Sequence, residues 1–443
     1  MLIEYNEHLR FIMCRVASLQ FTIVVLAAAL PRQAEGQTFP PYVAVDLGTL
    51  GGTSVATAIN DLGQVVGYYY TTKGVQRAFL WVPRPAYGLE RGMRDLGALA
   101  GGWSHANDIN NLGQVVGASR TGALDQYNQP IEHAFLWDPA THAMTDLGVL
   151  PNSEGGSVAW AINDAGQIVG TSYFVFAFYE NLAFIWLPQP AFGFPAGMSP
   201  LARGLFQEAN EAYDINELGE IVGFSGTDIV DEFRAFIWLP QAAHGVEAGF
   251  HILPGLENII SDGAEAINAN GRVVGSYLPP GAWYIQAFLW ENGLVTPVAT
   301  DETRHIFAFD VNDDGLALGR FSPPVGGPSQ DFIRQGTTIT FVEDLLLAIP
   351  GGFRVAMEAI NNRAQLVGRG GIQGHAQAML LTPVIADVDS DGDIDLTDFS
   401  SIVSCLAGPN EPTLPECISR DLDADGDVDF FDITTFLRVK DAQ

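Results

Sequence analysis

Apolar and polar positions alternate in short bursts along most of this chain, and the bursts recur. The run Ala58-Ile-Asn-Asp-Leu-Gly-Gln-Val-Val-Gly67 returns over 108–117, 161–170, 214–223, 266–275, 310–319 and 359–368. Its Asn falls at 60, 110, 163, 216, 268, 312 and 361, a period of 44 to 53 residues, which is the range of propeller blades. A second burst follows each first one: Ala78-Phe-Leu-Trp81, Ala134-Phe-Leu-Trp137, Ala183-Phe-Ile-Trp186, Ala235-Phe-Ile-Trp238 and Ala287-Phe-Leu-Trp290. Asp331-Phe-Ile-Arg334 and Ala378-Met-Leu-Leu381 are worn copies. A third, Asp-Leu-Gly, stands at 46–48, 95–97 and 146–148, with Gly204-Leu205 and Ile252-Leu253 as later remnants.

Asn-x-x-Gly between two apolar runs spells a hairpin turn, because Asn tolerates the turn conformation and Gly supplies positive φ. Ala364 replaces that Gly in the seventh copy, so its turn is expected to be strained or rearranged. Three bursts and a Ser-x-Ala-x-Ala lead-in make about four strands per repeat. The fold class is therefore mainly β: a seven-bladed β-propeller of four-stranded blades over residues 37–383. The seventh repeat ends after Leu381 without its fourth burst, while an orphan Asp46-Leu-Gly48 precedes the first. Residues 42–49 are expected to return as the outer strand of blade seven, an N-terminal clasp that removes an exposed edge. An open β-solenoid would leave that orphan unexplained.

Residues found once per blade are assigned to the blade's own turns and packing. Asn60 and its equivalents are read as turn formers and the Phe-Leu-Trp stripes as inter-blade core. Ligand contacts are expected in stretches that differ between blades, 68–77, 118–132, 171–182, 224–234 and 276–286. Within these, Tyr68, Tyr69, Tyr70, Tyr173, Tyr179, Trp283 and Tyr284 are the candidate recognition aromatics, with local loop packing as the competing reading.

The remaining segments have different patterns. Phe21–Leu30 is an apolar run of about ten residues, short of the roughly 20 that a membrane span needs. Arg10 and Arg15 precede it, and Ala34-Glu-Gly36 places small residues before Gln37, so residues 1–36 read as an export signal. The mature protein is then expected to be secreted, at the cell surface or in a periplasm, with no transmembrane span. Cys14 leaves with the signal, and Cys405 and Cys417 are expected to form a disulfide in that oxidising setting.

Composition sharpens the division. The chain has 443 residues, 52 acidic against 21 basic, for a net charge of -31. That excludes a nucleic-acid partner, which needs a basic face, and 47% hydrophobic content excludes global disorder. Residues 384–443 alone hold 15 acids and 3 bases, a separate unit with its own reason for charge. There Asp387, Asp389, Asp391, Asp393, Asp395 and Asp398 occupy positions 1, 3, 5, 7, 9 and 12 of a twelve-residue loop, with Gly392 at position 6. Asp421, Asp423, Asp425, Asp427, Asp429 and Asp432 repeat this around Gly426. The spacing aims alternate oxygens at one point, as a hard cation requires, so two Ca²⁺ ions are expected, with Asp393 and Asp427 binding through the main chain. Apolar faces at Phe399, Ile402, Val403 and Leu406, and at Ile433, Phe436 and Leu437, predict a helix after each loop.

Two resemblances follow from these motifs. The Ala-Ile-Asn-x-x-Gly-Gln-Val-Val-Gly run with His133-Ala-Phe-Leu-Trp137 resembles the bacterial extracellular HAF-repeat family over about 42–381. Arg77, Leu182, Arg234 and Gln286 replace the His in other blades, so the His is not a ring of ligands. The tail resembles the type I dockerin family over about 384–440. That resemblance implies attachment to a cohesin-like or other surface protein, recognised through loop positions 10 and 11. These are Leu396-Thr397 and Phe430-Phe431 here, unlike each other and unlike the family's usual Ser-Thr. The sequence shows no nucleophile constellation, paired-His metal motif or phosphate loop. Three functions stay open: a binding or scaffold protein with a glycan as candidate ligand of the propeller loops, a polysaccharide-active enzyme carried by its dockerin, and a passive matrix component.

Overall fold

The computed structural model describes residues 39–151, 153, 155–173, 181–201, 210–226, 233–256, 261–324, 326–347, 353–372, 375–384, 396–407, 413, 417, 420–422, 427–429 and 432–437. The proposed export signal lies outside the described residues.

Seven antiparallel four-stranded sheets form the blades of a propeller. Blade one runs Ser54–Ile59, Val65–Tyr70, Gln76–Val82 and Gly92–Gly97 from the channel outward. The inner strands of the next five blades are Ser104–Ile109, Gly156–Ile162, Asn210–Ile215, Ser261–Ile267 and His305–Val311. Blade seven takes Phe353–Ile360, Leu366–Ile372 and His375–Pro383 from the end of the repeat region and Tyr42–Gly48 from its start. Val45 pairs with Leu380 and Asp46 with Met379, so the clasp is present in the expected place. The fourth strand of blade three is Gly197–Pro200, earlier than the remnant read at Gly204-Leu205, which lies outside the described residues.

Each inner hairpin carries a bulge at the same point, between Ala56 and Ala58 in blade one and between Ala159 and Ala161 in blade three, for example. This explains the Gly that ends every Val-Val-Gly burst. A Cβ on Gly67 would meet the Val55 carbonyl, and one on Gly368 the Ala356 carbonyl. The bulge thus needs a residue without a side chain opposite it.

The core is divided among the blade junctions. Val66 and Leu80 of blade one bury against Ala106, Ile109, Phe135 and Trp137 of blade two. Phe79, Phe135, Phe184, Phe236, Phe288 and Phe332 are all fully buried, as expected of inter-blade core. His133 has a comparable explanation. Its Nδ1 meets Asp146 of the next strand at 2.9 Å, and Arg77 meets Asp95 in blade one at 3.2 Å.

The tail forms helix Leu396–Ser404 and a second helical stretch over 432–437, with Phe399 and Phe436 rings 5.7 Å apart. The disulfide joins Cys405 and Cys417 across a Cα separation of 5.6 Å. Among the described residues no helix is long and apolar enough to cross a membrane.

Candidate functional site

The two ends of the channel are built from different kinds of residue. In every blade the first-to-second connection emerges on one face, joined in blades one to six by the third-to-fourth. The second strand of each blade ends, and its third begins, on the other.

On the first face the repeated Asn closes a circle. Asn60 Oδ1 accepts the N–H groups of Leu62 and Gln64 at 3.1 and 3.0 Å, which fixes the hairpin. Its Nδ2 donates to the Asn110 carbonyl at 2.9 Å, in the next blade. Asn110, Asn163, Asn216, Asn268 and Asn312 each donate onward in the same way, and Asn361 donates back to the Asn60 carbonyl at 2.9 Å. All seven are buried. The Asn is therefore turn former and inter-blade staple at once, and its burial removes it from contact with a ligand.

One position further on, side chains tie the same junctions. Asn111 Oδ1 accepts the Asp61 N–H at 2.9 Å, and Asp164 accepts from Asn111 N at 2.7 Å. Glu217 accepts from Asp164 N at 3.0 Å. Ala269 offers no acceptor, and the series resumes with Asp313, Asn362 and Asp61. Two positions before the Asn, blades two, four and six carry Asp and the others Ala. Asp108 accepts Ile109 N and, from blade three, Ile162 N, both at 2.8 Å. Asp214 and Asp310 do the same for Ile215 with Ile267 and for Val311 with Ile360. Burial pushes these carboxyls up, to about 6 at Asp108, where Asp164 adds repulsion, about 8 at Asp214 and about 7 at Asp310, where the other buried aspartates add it.

The second face has no such repetition. The lead-in Ser-x-Ala-x-Ala buries its first Ala in the junction, while the intervening positions are half-exposed toward the channel and its mouth. Those positions read Thr57, Asn107, Trp160, Tyr213, Glu265, Phe309 and Glu358 at one level. Nearer the mouth stand His105, Glu211 and Phe307. The Trp160 and Tyr213 rings meet edge to face at 6.2 Å, and Tyr213 continues to Phe224 at 5.5 Å. His105 packs on Tyr68 at 4.5 Å and takes Gln76 Nε2 at 2.8 Å on Nδ1. Burial pushes His105 down to about 4, so the ring is neutral and acts as an acceptor there. Glu211 is raised by burial and held by Asn181 Nδ2 at 2.8 Å. Arg120 lies 5.2 Å from the Trp103 ring centre and Arg320 5.3 Å from that of Phe309.

The recognition aromatics expected from sequence divide on this frame. Tyr68 and Tyr70 lie on the second strand of blade one rather than in a loop, their rings 5.9 Å apart. Tyr69 is 4% exposed in the core between blades seven and one and offers no contact surface. Tyr173 ends a strand and burial raises its hydroxyl pKa. Trp283 is 89% exposed, and Tyr284 packs on His305 at 5.4 Å. Tyr179 lies outside the described residues.

Of the tail loops, Asp387, Asp389, Asp391, Asp393, Asp395, Asp423 and Asp425 lie outside the described residues. Asp398, Asp427, Asp429 and Asp432 are buried, Asp398 and Asp432 completely. Asp432 accepts the Leu422 N–H at 2.5 Å and the Asp429 N–H at 2.7 Å, drawing both ends of the second loop around one carboxylate. Inward-folded carboxylates of this kind suit a hard cation, which would offset their burial. Among the described residues no group of three acidic, His or Cys side chains is gathered for a metal.

No protein-family profile matches the sequence, and no curated protein sequence does. Among solved structures, the chain is similar to AofleA from Arthrobotrys oligospora, at 13% identity and TM-score 0.35, over 70% of this chain and 91% of that one. It is also similar to TolB from Acinetobacter baumannii, at 10% identity and TM-score 0.32, over 63% and 66%. A puromycin-hydrolyzing peptidase of Mycobacterium tuberculosis matches at 11% identity and TM-score 0.46, over 70% and 47%. Likenesses this distant add nothing about function.

The channel residues Trp160, Tyr213, His105 and Glu211 were not singled out by sequence. Their signal was available: inside a lead-in whose Ser and Ala recur, the positions between change character from blade to blade.

Proposed function

We propose that this is an extracellular calcium-binding protein in which the propeller is the binding module and the tail the attachment module. The observation that carries the reading is the contrast between the two channel mouths. One is lined by the same Asn in every blade, spent on the ring itself. The other is lined by unlike residues, aromatic and acidic, that blade geometry does not require. Rings flanked by carboxylates and amides suit a saccharide, which presents apolar C–H faces and a rim of hydroxyls. Trp160 and Tyr213 supply the stacking surface, and Glu211 a polar contact.

In the tail, Asp398 and Asp432 close two oxygen-lined loops, with Asp387, Asp389, Asp391, Asp421, Asp423 and Asp425 as side-chain donors. Calcium would neutralise these carboxylates and fix the loop backbone. The dockerin-like pattern supports attachment to a cohesin-like or other surface protein, and the export signal supports an extracellular setting.

A glycan array probed with the calcium-loaded full chain tests the propeller. Binding to a defined glycan set is expected, weakened about tenfold or more in Trp160→Ala, as for loss of a central aromatic anchor. Absence of any glycan binding, or binding indifferent to Trp160→Ala and Tyr213→Ala together, overturns the reading.

A further inference from the structure

The apolar core of the tail is completed by the propeller. Ile402, Cys417, Leu422, Val428, Ile433 and Phe436 are buried together with Val384, and Val43 and Leu347 pack onto them. Val43 belongs to the clasp strand, and Leu347 lies just past the short helix Val342–Leu345 of the preceding blade. The backbone is tied at the same place. Leu347 N donates to the Tyr42 carbonyl at 3.0 Å, and Val384 N to the Pro41 carbonyl at 2.8 Å. The clasp therefore rests on blade seven along its length, on residues 346–347 at its start, and on the tail through Val43.

The residues that form this tail core are interleaved with the loop aspartates. Leu422 follows Asp421, Val428 stands between Asp427 and Asp429, and Ile433 follows Asp432. The Asp432 carboxylate holds the Leu422 and Asp429 amides directly. Loop and core share one backbone, so whatever orders the loop also orders the surface under Val43. Conversely, a loop of unneutralised aspartates that repel one another removes that surface.

We propose that the tail acts in cis as a calcium-dependent latch on the propeller: the loaded loops hold the clasp strand in blade seven, and withdrawal of calcium loosens it. The inference rests on the calcium reading above and adds a role that an adaptor alone would not have. It also accords with the short connection in the sequence, where only residues 384–386 lie between the last strand and the loop that begins at Asp387.

Hydrogen exchange on the full chain, in calcium chloride and then in EGTA, tests it, with calcium uptake measured by calorimetry on the same sample. Chelation is expected to speed exchange of the amides of Tyr42–Gly48 by about tenfold or more, while Asn210–Ile215 of blade four, on the far side of the ring, stays unchanged. Val43→Asn, which keeps the strand ladder but spoils the tail contact, is expected to make clasp exchange indifferent to calcium. Calcium uptake with unchanged clasp exchange overturns the latch and leaves the calcium reading standing. No uptake at millimolar calcium overturns both.

Discussion

Three aspartates answer a counting problem at the channel wall. Each blade turns one amide toward the axis just before its Asn, at Ile59, Ile109, Ile162, Ile215, Ile267, Val311 and Ile360. One carboxylate has two oxygens and caps its own blade's amide and the next blade's, so Asp108, Asp214 and Asp310 cap six. Seven is odd, and Ile59 faces Ala359 where a fourth Asp would stand. The alternation of Ala and Asp in the repeat thus has a stoichiometric cause. It also has a cost, since burial and repulsion among the three push Asp214 up to about 8 and Asp310 up to about 7. Folded-state pKa values above the unfolded value of about 3.9 mean that the fold favours the protonated carboxyls. Their contribution to stability is full below about pH 4 and is lost as pH rises through 6 to 8. Melting of the calcium-saturated protein followed from pH 5 to pH 9 is expected to show Tm falling across this window. Asp214→Ala, a residue the fold already accepts in four blades, is expected to flatten the upper part of the fall. An unchanged slope in that variant would refute the assignment.

At the scale of the hairpin, one exception shows how the rule works. Six of the Asn-x-x-Gly turns place Gly at positive φ, and the seventh places Ala364 there at φ 56°. In three of these six the Gly is demanded twice, for its φ and because the outer turn of the preceding blade lays a ring against it. A Cβ on Gly113 would strike Tyr87, on Gly219 Phe192, and on Gly271 His244. Blade six ends instead in the plain turn around Gly336, and Ala364 packs on the core beside it. Its carbonyl also receives the buried Tyr42 hydroxyl at 2.8 Å. The turn is strained rather than rearranged, and a non-Gly residue in that region costs about 1–2 kcal/mol. Ala364→Gly is expected to stabilise the protein by up to about 1 kcal/mol, the gain being reduced by the freer unfolded chain. Urea unfolding measures it, and a loss of stability would show that the methyl contributes more to the core than the backbone strain costs. Hairpins, strand order and the clasp were legible in sequence because each is set within about ten neighbouring residues or by a missing copy. The Asn circle was not, because each of its bonds runs to a residue 44 to 53 positions ahead, or 301 in the closing case. The channel residues were not legible for another reason: variation between blades marks loops, and these variable positions lie inside a repeated strand.

The whole ring depends on one junction that the chain does not make by continuing. Every other blade is finished by the strand that follows its third. Blade seven is finished by residues from the opposite end of the repeats, and the core of the junction to blade one includes Leu47 from that strand with Val367, Leu380, Val65 and Phe79. Ser54 Oγ adds a bond across the same junction to Gln377 at 3.0 Å, and accepts Ala378 N at 2.9 Å. Removal of the clasp would leave His375–Pro383 as an edge strand with unpaired amides beside an uncovered apolar patch, a template for pairing with another chain. A protein beginning after residue 48 is therefore expected to associate, and light scattering should show dimers or larger species where the parent is a monomer or a smaller assembly. A peptide of the sequence Tyr42–Gly48 added in excess is expected to restore the parent's size by supplying the missing strand. Full restoration by a scrambled peptide would place the effect in solubility rather than in strand pairing, and a truncated protein of parental size and stability would mean that the ring is held by its Asn circle and blade cores alone.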